Sequence, residues 1–296
     1  LADISRKMPD GDVVIQSDEK TAVISGKKVK IKLPVSDVES FPGLPDLTEM
    51  EVSCSVLQGA LKDALNGVLF SIAVTEVNQM LSVVHVKCEE GQMRLTGLDG
   101  HRIAIRALEV QTEERELNLP GIPLKEIAKL LNSEEQKVDL CVTEHLACFL
   151  MPDVWASMRL VDGKYFDISA FLQDKTNRNI RIDKTKLKDS VSRALLLLAD
   201  KVQKPLVVQV AENKVTLEAA TTAGEMSESI NAVTEGESGS LRIGYNPRYL
   251  MEILQAVEDE TIDLSLGGAN DPCLIKGMDY LYVLLPVSLG KTEAAL

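Results

Sequence analysis

Apolar and polar positions along the 296 residues change period in a fixed order, and that order occurs twice. A helix-like stretch holding "LKDAL" (Leu61 to Leu65) continues with further aliphatics and gives way to two or three alternating strands. A proline-started helix and about three more strands follow. "LKDSV" at Leu187 to Val191 repeats the first block at an offset of 126 residues, and "LRIGYNPRYLMEIL" from Leu241 repeats "LNLPGIPLKEIAKLL" from Leu117, with Pro247 matching Pro123 at 124. "IDLSL" from Ile262 repeats "VDLCV" from Val138 at 124. Three blocks in one order at nearly constant offset mean two related units. Pro123 and Pro247 are expected in first-turn positions, where a missing N–H costs nothing.

The first 48 residues fit neither unit, but "DVVIQ" (Asp12 to Gln16) resembles "VDLCV", and "IKLPVSDVESFP" stands about 124 to 127 residues before "MRLVDGKYFDIS". They read as the end of a third copy whose beginning, for a period of about 125 residues, would lie roughly 75 residues before Leu1. The expected division is 1–48, 49–175 and 176–296. The fold class is α+β, with helices on one face of antiparallel sheets.

Composition narrows the function. No apolar run approaches the roughly 20 residues of a membrane span; the longest, such as "ALLLLA", have about six. No leader is recognisable, and a cytoplasmic protein without membrane partners is expected. Cys54, Cys88, Cys141, Cys148 and Cys273 are odd in number and mostly sit in alternating apolar runs, which suits reduced core residues. The spacing Cys141, His145, Cys148 hints at a metal but offers no fourth ligand, so neither metal nor cofactor is expected. A net charge of −13 argues against non-specific nucleic-acid binding, yet Asn177 to Lys204 carries eight basic residues against three acidic ones. That excess is either a solvated helix face or one lobe of a polarised molecule.

The stretch "LTGLDGHRIAIR" (Leu95 to Arg106) concentrates candidate chemistry. A hydrolase would use Asp99 to orient His101 as a base, but strand alternation puts Asp99, His101 and Ile103 on one face and Gly100, Arg102 and Ala104 on the other, with no nucleophile in view. His85 and His145 lie in strand-like runs and read as structural. No phosphate-loop, dinucleotide, HExxH or GxSxG motif occurs. From local sequence alone "DGHR" is a structural hairpin turn with "DG" as its turn residues.

"TGLDGHRIAI", "RLVDGKYFD", "IGYNPRYLMEIL" and "YVLLPVSL", in that order, resemble the bacterial DNA polymerase III beta subunit, the sliding clamp, across essentially the whole chain. The resemblance implies a non-catalytic processivity factor of three clamp units per chain, paired head to tail into a ring around duplex DNA. It also implies a groove between the second and third units that takes apolar-tipped peptides of the replicative polymerase, the clamp loader and repair polymerases. Carried over position by position, that groove comprises Leu81, Leu98, Gly100, His101, Arg102, Ile103, Phe166, Phe171, Val202, Asn246, Tyr249, Pro272, Val283, Leu284, Leu285, Pro286 and Val287. Aliphatics with one tyrosine suit an apolar slot, and His101, Arg102 and Asn246 would supply directed polar contacts. Leu98, Phe166 and Ala170 depart from the family pattern and are expected to change the rim. Lys125, Lys129, Lys188, Arg193 and Arg248 are the expected DNA-facing residues, holding phosphates without reading bases. With most of the first unit absent, this chain is expected to be mainly monomeric, the native protein a dimer. "GKTEAAL" is expected to be a mobile tail.

Overall fold

The computed structural model describes residues 1–40, 50–74, 78–173, 176–198 and 204–289. Contacts divide the chain into a short segment, Leu1–Met50, and a body, Glu51–Leu296. The segment has a helix, α1 (Ala2–Arg6), and three strands, β1 (Val14–Ser17), β2 (Thr21–Gly26) and β3 (Val29–Pro34), paired antiparallel in sequence order.

The body holds the twofold repeat. Its central half runs β4 (Val52–Leu57), α2 (Gln58–Leu69), β5 (Val83–Glu89), β6 (Gln92–Leu98), β7 (Arg102–Glu109), β8 (Arg115–Pro120), α3 (Gly121–Leu130), β9 (Lys137–Val142), β10 (Leu146–Leu150) and β11 (Trp155–Arg159). A connector with one turn of helix, α4 (Ser169–Leu172), leads to the C-terminal half. There the order recurs as β12 (Arg178–Asp183), α5 (Lys184–Leu198), β13 (Leu206–Ala211), β14 (Lys214–Thr221), β15 (Gly224–Gly236), β16 (Leu241–Tyr245), α6 (Pro247–Ala256), β17 (Thr261–Leu266), β18 (Cys273–Lys276) and β19 (Tyr280–Leu284).

Local chemistry explains the helices. Leu61, Ala64, Leu65, Val68 and Leu69 recur at three- and four-residue spacing on α2 and are buried together. Burying each such leucine stabilises the fold by about 1.5–3 kcal/mol. Pro247 opens α6 behind Asn246, whose side chain accepts from Arg248 N at 3.0 Å, and Pro123 falls in the first turn of α3. Within each half the two helices pack on one another, α2 on α3 and α5 on α6, and the main core runs beneath them from Leu65 and Phe149 to Ile180 and Tyr282.

Strand pairing is less regular than strand order. Strands β11, β10, β9 and β4 form one sheet; the others follow the order β16-β13-β14-β15-β12-β17-β18-β19-β7-β6-β5-β8. The two halves are therefore stitched by β7 against β19, from Arg106 opposite Tyr280 to Arg102 opposite Leu284. All five cysteines are free and buried. His145 lies in the β9–β10 turn with its side chain exposed, correcting its placement in a strand. Among the described residues no group of three or more His, Cys, Asp or Glu could hold a metal.

Candidate binding groove at the joint between the repeats

The β6–β7 hairpin closes with Asp99, Gly100 and His101, and the turn is a tight hydrogen-bonded one. Asp99 Oδ1 accepts from His101 N at 3.0 Å and from Arg102 N at 3.1 Å, while Gly100 supplies φ +84°, a conformation open to glycine at little cost. Asp99 Oδ2 takes Arg102 Nε at 3.0 Å. The expected alternation, with Asp99 and Arg102 on opposite faces, fails because residues 99 to 101 are turn and not strand. The hydrolase geometry fails too: the carboxylate serves backbone amides and a guanidinium, and the His101 ring instead stacks on Tyr249 at 5.7 Å.

Beyond the turn, β7 sends its side chains two ways. Ile103 and Ile105 join Leu98, Leu274 and Val283 in a small apolar cluster separate from the main core, packed by Leu81, Tyr165, Ile168, Leu172 and Leu281. This cluster draws on the central half, the connector and the C-terminal half, so it forms only where the three meet. Its outer parts are half-buried or exposed: Leu81, Pro272, Leu285 and Pro286 are half-buried, and Phe166 and Phe171 are 37% and 41% exposed. A cavity of about 190 Å³ opens here between Ala170, Phe171, Gln173, Thr176, Asp271, Pro272 and Leu274. A dry cavity of about 150 Å³ takes a benzene ring, so this one accommodates a large apolar side chain.

The connector is held against the central half. Asn118 Nδ2 donates to Val161 O at 3.2 Å and to Gly163 O at 2.9 Å, its Oδ1 pairs with His85 Nδ1 at 2.9 Å, and His85 stacks on Tyr165 at 4.5 Å. Burial pushes the Tyr165 hydroxyl up, and it stays protonated to donate to Thr96 O at 3.4 Å. On the other wall, Leu285 N donates to His101 O at 2.9 Å and Val287 N to Gly244 O at 2.8 Å, carrying the last residues across to β16.

Most expected groove residues thus converge, with corrections. Leu284 belongs to the main core on the opposite face of β19 from Val283. Leu98 is floor and not rim. Arg102 is 5% exposed, and its three nitrogens bond Asp99, Glu252 and Phe70 O, so it offers nothing to solvent. Asn246 Oδ1 is spent on capping α6. Val202 and the tail after Leu289 lie outside the described residues.

The basic candidates split. Lys125 and Lys129 line a cleft of about 630 Å³ between α2 and α3, joined there by Lys62. Lys129 is paired with Glu126 at 2.7 Å. Lys62 was absent from the sequence expectation although the repeat that matches "LKDAL" to "LKDSV" makes it the equivalent of Lys188. Lys188 is half-buried on α5, and Arg248 is exposed at the start of α6. Arg193 is paired with Glu228 through Nε at 2.9 Å and Nη2 at 2.5 Å. Arg181 is likewise paired with Asp263 and Lys186 with Asp183. Two of the basic residues between Asn177 and Lys204, Arg181 and Arg193, are thus paired with acids outside that stretch.

A family model described as the DNA polymerase III beta subunit, central domain, matches residues 55–167, and one described as its C-terminal domain matches residues 171–287. The beta sliding clamp of Bacillus subtilis is 26% identical over 284 residues, 93% of this chain and 74% of the relative. That of Halalkalibacterium halodurans is 27% identical over 300 residues, 97% and 78%. A crystal structure assigned to the DNA polymerase III beta subunit of Eubacterium rectale superposes with a TM-score of 0.86 at 30% identity, covering 97% of this chain and 78% of that one.

Proposed function

Because the chain belongs to the DNA polymerase III beta subunit family, we propose that it acts as a sliding clamp through a groove between its two repeats that docks short apolar-tipped peptides. It is a non-catalytic processivity factor of DNA replication: it performs no bond chemistry and keeps a polymerase near the primer end by tethering, which raises effective concentration. The observation that carries the groove is the second apolar cluster at the joint with its cavity of about 190 Å³. Monomeric proteins bury such surface or use it, and here Phe166, Phe171 and Val287 remain exposed around it.

On this reading the occupant anchors one bulky apolar side chain against Phe171, Pro272 and Leu274, and lays its neighbours along Tyr249 and residues 285 to 287. Partners would be the replicative polymerase catalytic subunit, a clamp loader and repair polymerases. Duplex DNA would pass along the helices, with Lys62, Lys125, Lys129, Lys188 and Arg248 meeting phosphates. Assembly would be head to tail with a second copy, and the place of work the cytoplasm. The division into units at 49–175 and 176–296 belongs to the same proposal.

The test is fluorescence anisotropy of a labelled polymerase-tail peptide titrated with the protein. A dissociation constant on the order of 1 μM, weakened at least tenfold by Phe171→Ala and by Tyr249→Ala in folded variants, is expected. No binding by the folded protein would remove the groove.

A further inference from the structure

Arg102 carries a full charge into a site that is 5% exposed, where an unpaired guanidinium would be costly. Every group around it answers that charge. Its Nε meets Asp99 Oδ2 at 3.0 Å, Nη1 meets a carboxylate oxygen of Glu252, and Nη2 meets the Phe70 carbonyl at the end of α2. Its guanidinium carbon is 5.1 Å from the centre of the Phe70 ring and 4.3 Å from that of Tyr249. Tyr249 is also stacked with His101 at 5.7 Å. These contacts cross the joint, since Tyr249 and Glu252 stand on α6 and Phe70, His101 and Arg102 on the central half.

Resting on the groove reading above, we infer that Arg102 is a positioning residue and not a peptide contact: it holds Tyr249 and the turn at His101 in place as the groove wall. Glu252 acts in the same way at one remove. It lines a different cleft, of about 330 Å³, between α2 and α6 beside Asp63, Asn66 and Phe70. The apolar cluster of the groove uses the opposite side chains of β7, Ile103 and Ile105. Glu252 faces that cleft and touches the groove wall through its pairing with Arg102. Lysine would not replace Arg102, because its compact ammonium has neither three separate nitrogens to reach these acceptors nor a planar face to lay on the rings. Arg106, four residues along β7, makes a second ion pair across the joint, from a buried guanidinium to the half-exposed Asp279 at 3.1 Å.

The test measures affinity and stability separately on the full chain, using the labelled polymerase-tail peptide. Glu252→Gln, a nearly isosteric change at a half-exposed side chain, is expected to weaken peptide binding three- to tenfold at a temperature where thermal melting shows the variant fully folded. Arg102→Lys is expected to behave like Arg102→Met. In a double-substitution cycle, Arg102→Met added to Tyr249→Ala is expected to cost less than a further twofold, because Arg102 has then lost the group it positions. If Glu252→Gln binds as tightly as wild type, or the Arg102 and Tyr249 effects multiply, Arg102 is not a positioning residue and the inference falls while the groove stands. Absence of wild-type binding would remove both. If Arg102→Met does not fold, Glu252→Gln alone decides.

Discussion

The β6–β7 and β14–β15 hairpins occupy the same place in the two repeats and have opposite fates. The first ends in Asp99 to Arg102, bends over the joint, buries an arginine and leaves its strand β7 paired with β19 of the other half. The second ends in Thr222 and Ala223, both exposed, and its strand is 13 residues long: Gly224 to Asn231 pair with β14, and Ala232 to Gly236 turn inward to pair with β12 of the same half. One repeat unit thus uses its fourth strand to reach a neighbour and the other to close on itself. The difference teaches that the groove is a property of the joint. Only the hairpin that meets a second repeat gains an apolar floor on one side and a charged stack on the other.

Substitutions at the two tips should separate them most. Arg102→Met strands Asp99 and Glu252 and is expected to lower unfolding free energy by on the order of 2–4 kcal/mol, the full cost of a broken buried pair being reduced because Glu252 is 43% exposed. Ala223→Lys on the other tip should stay within about 0.5 kcal/mol. Urea titration of both variants checks this, and equal losses would erase the contrast. A second comparison uses Gly97 and Ala219, which correspond in β6 and β14. A Cβ on Gly97 would lie 2.6 Å from Ser71 Oγ and 2.8 Å from Val68 O, so Gly97→Ala should cost about 1–3 kcal/mol, whereas Ala219→Gly should cost only about 1 kcal/mol.

A smaller effect concerns the ion pair that β15 does carry. The Arg193 guanidinium holds the Glu228 carboxyl below its usual 4.5. A depressed carboxylate contributes stability above its unfolded value and loses it as pH falls through the folded one. The gap in melting temperature between wild type and Glu228→Gln should therefore close as pH drops below about 4.5. Freed from its partner, Arg193 in that variant should strengthen binding to duplex DNA and steepen its salt dependence by about one phosphate contact. An unchanged slope would show that Arg193 does not face the DNA even when unpaired.

The least change is expected at the thiols. Burial pushes Cys54 in the central half up to about 11 and Cys273 in the C-terminal half up to about 12. Both halves should ignore a thiol reagent at pH 8 until unfolded, and fast labelling of either would show that its half opens.

Much of this was legible from residues. The offsets between "LKDAL" and "LKDSV" and between Pro123 and Pro247 gave the two halves, because helix starts and apolar periods are local. "DG" at Asp99 and Gly100 marked the hairpin. The pairing of β7 with β19 left no trace: their residues are more than 170 positions apart, and strand alternation says which face is buried but not which strand lies alongside. For the same reason Arg102 was read as a contact. Its partner Glu252 is 150 residues away on another helix, and nothing in "DGHR" points to it. Lys62 could have been found, since the repeat that singled out Lys188 also contained it.

The central claim is that the joint, and not the equivalent tip of the second repeat, receives the peptide. Amide hydrogen exchange with and without the polymerase-tail peptide tests it most directly. The account expects protection at residues 98 to 103, at 165 to 173 and at 283 to 287, with no change at 221 to 225. Protection of the β14–β15 tip, or none at the joint under saturating peptide, would contradict it.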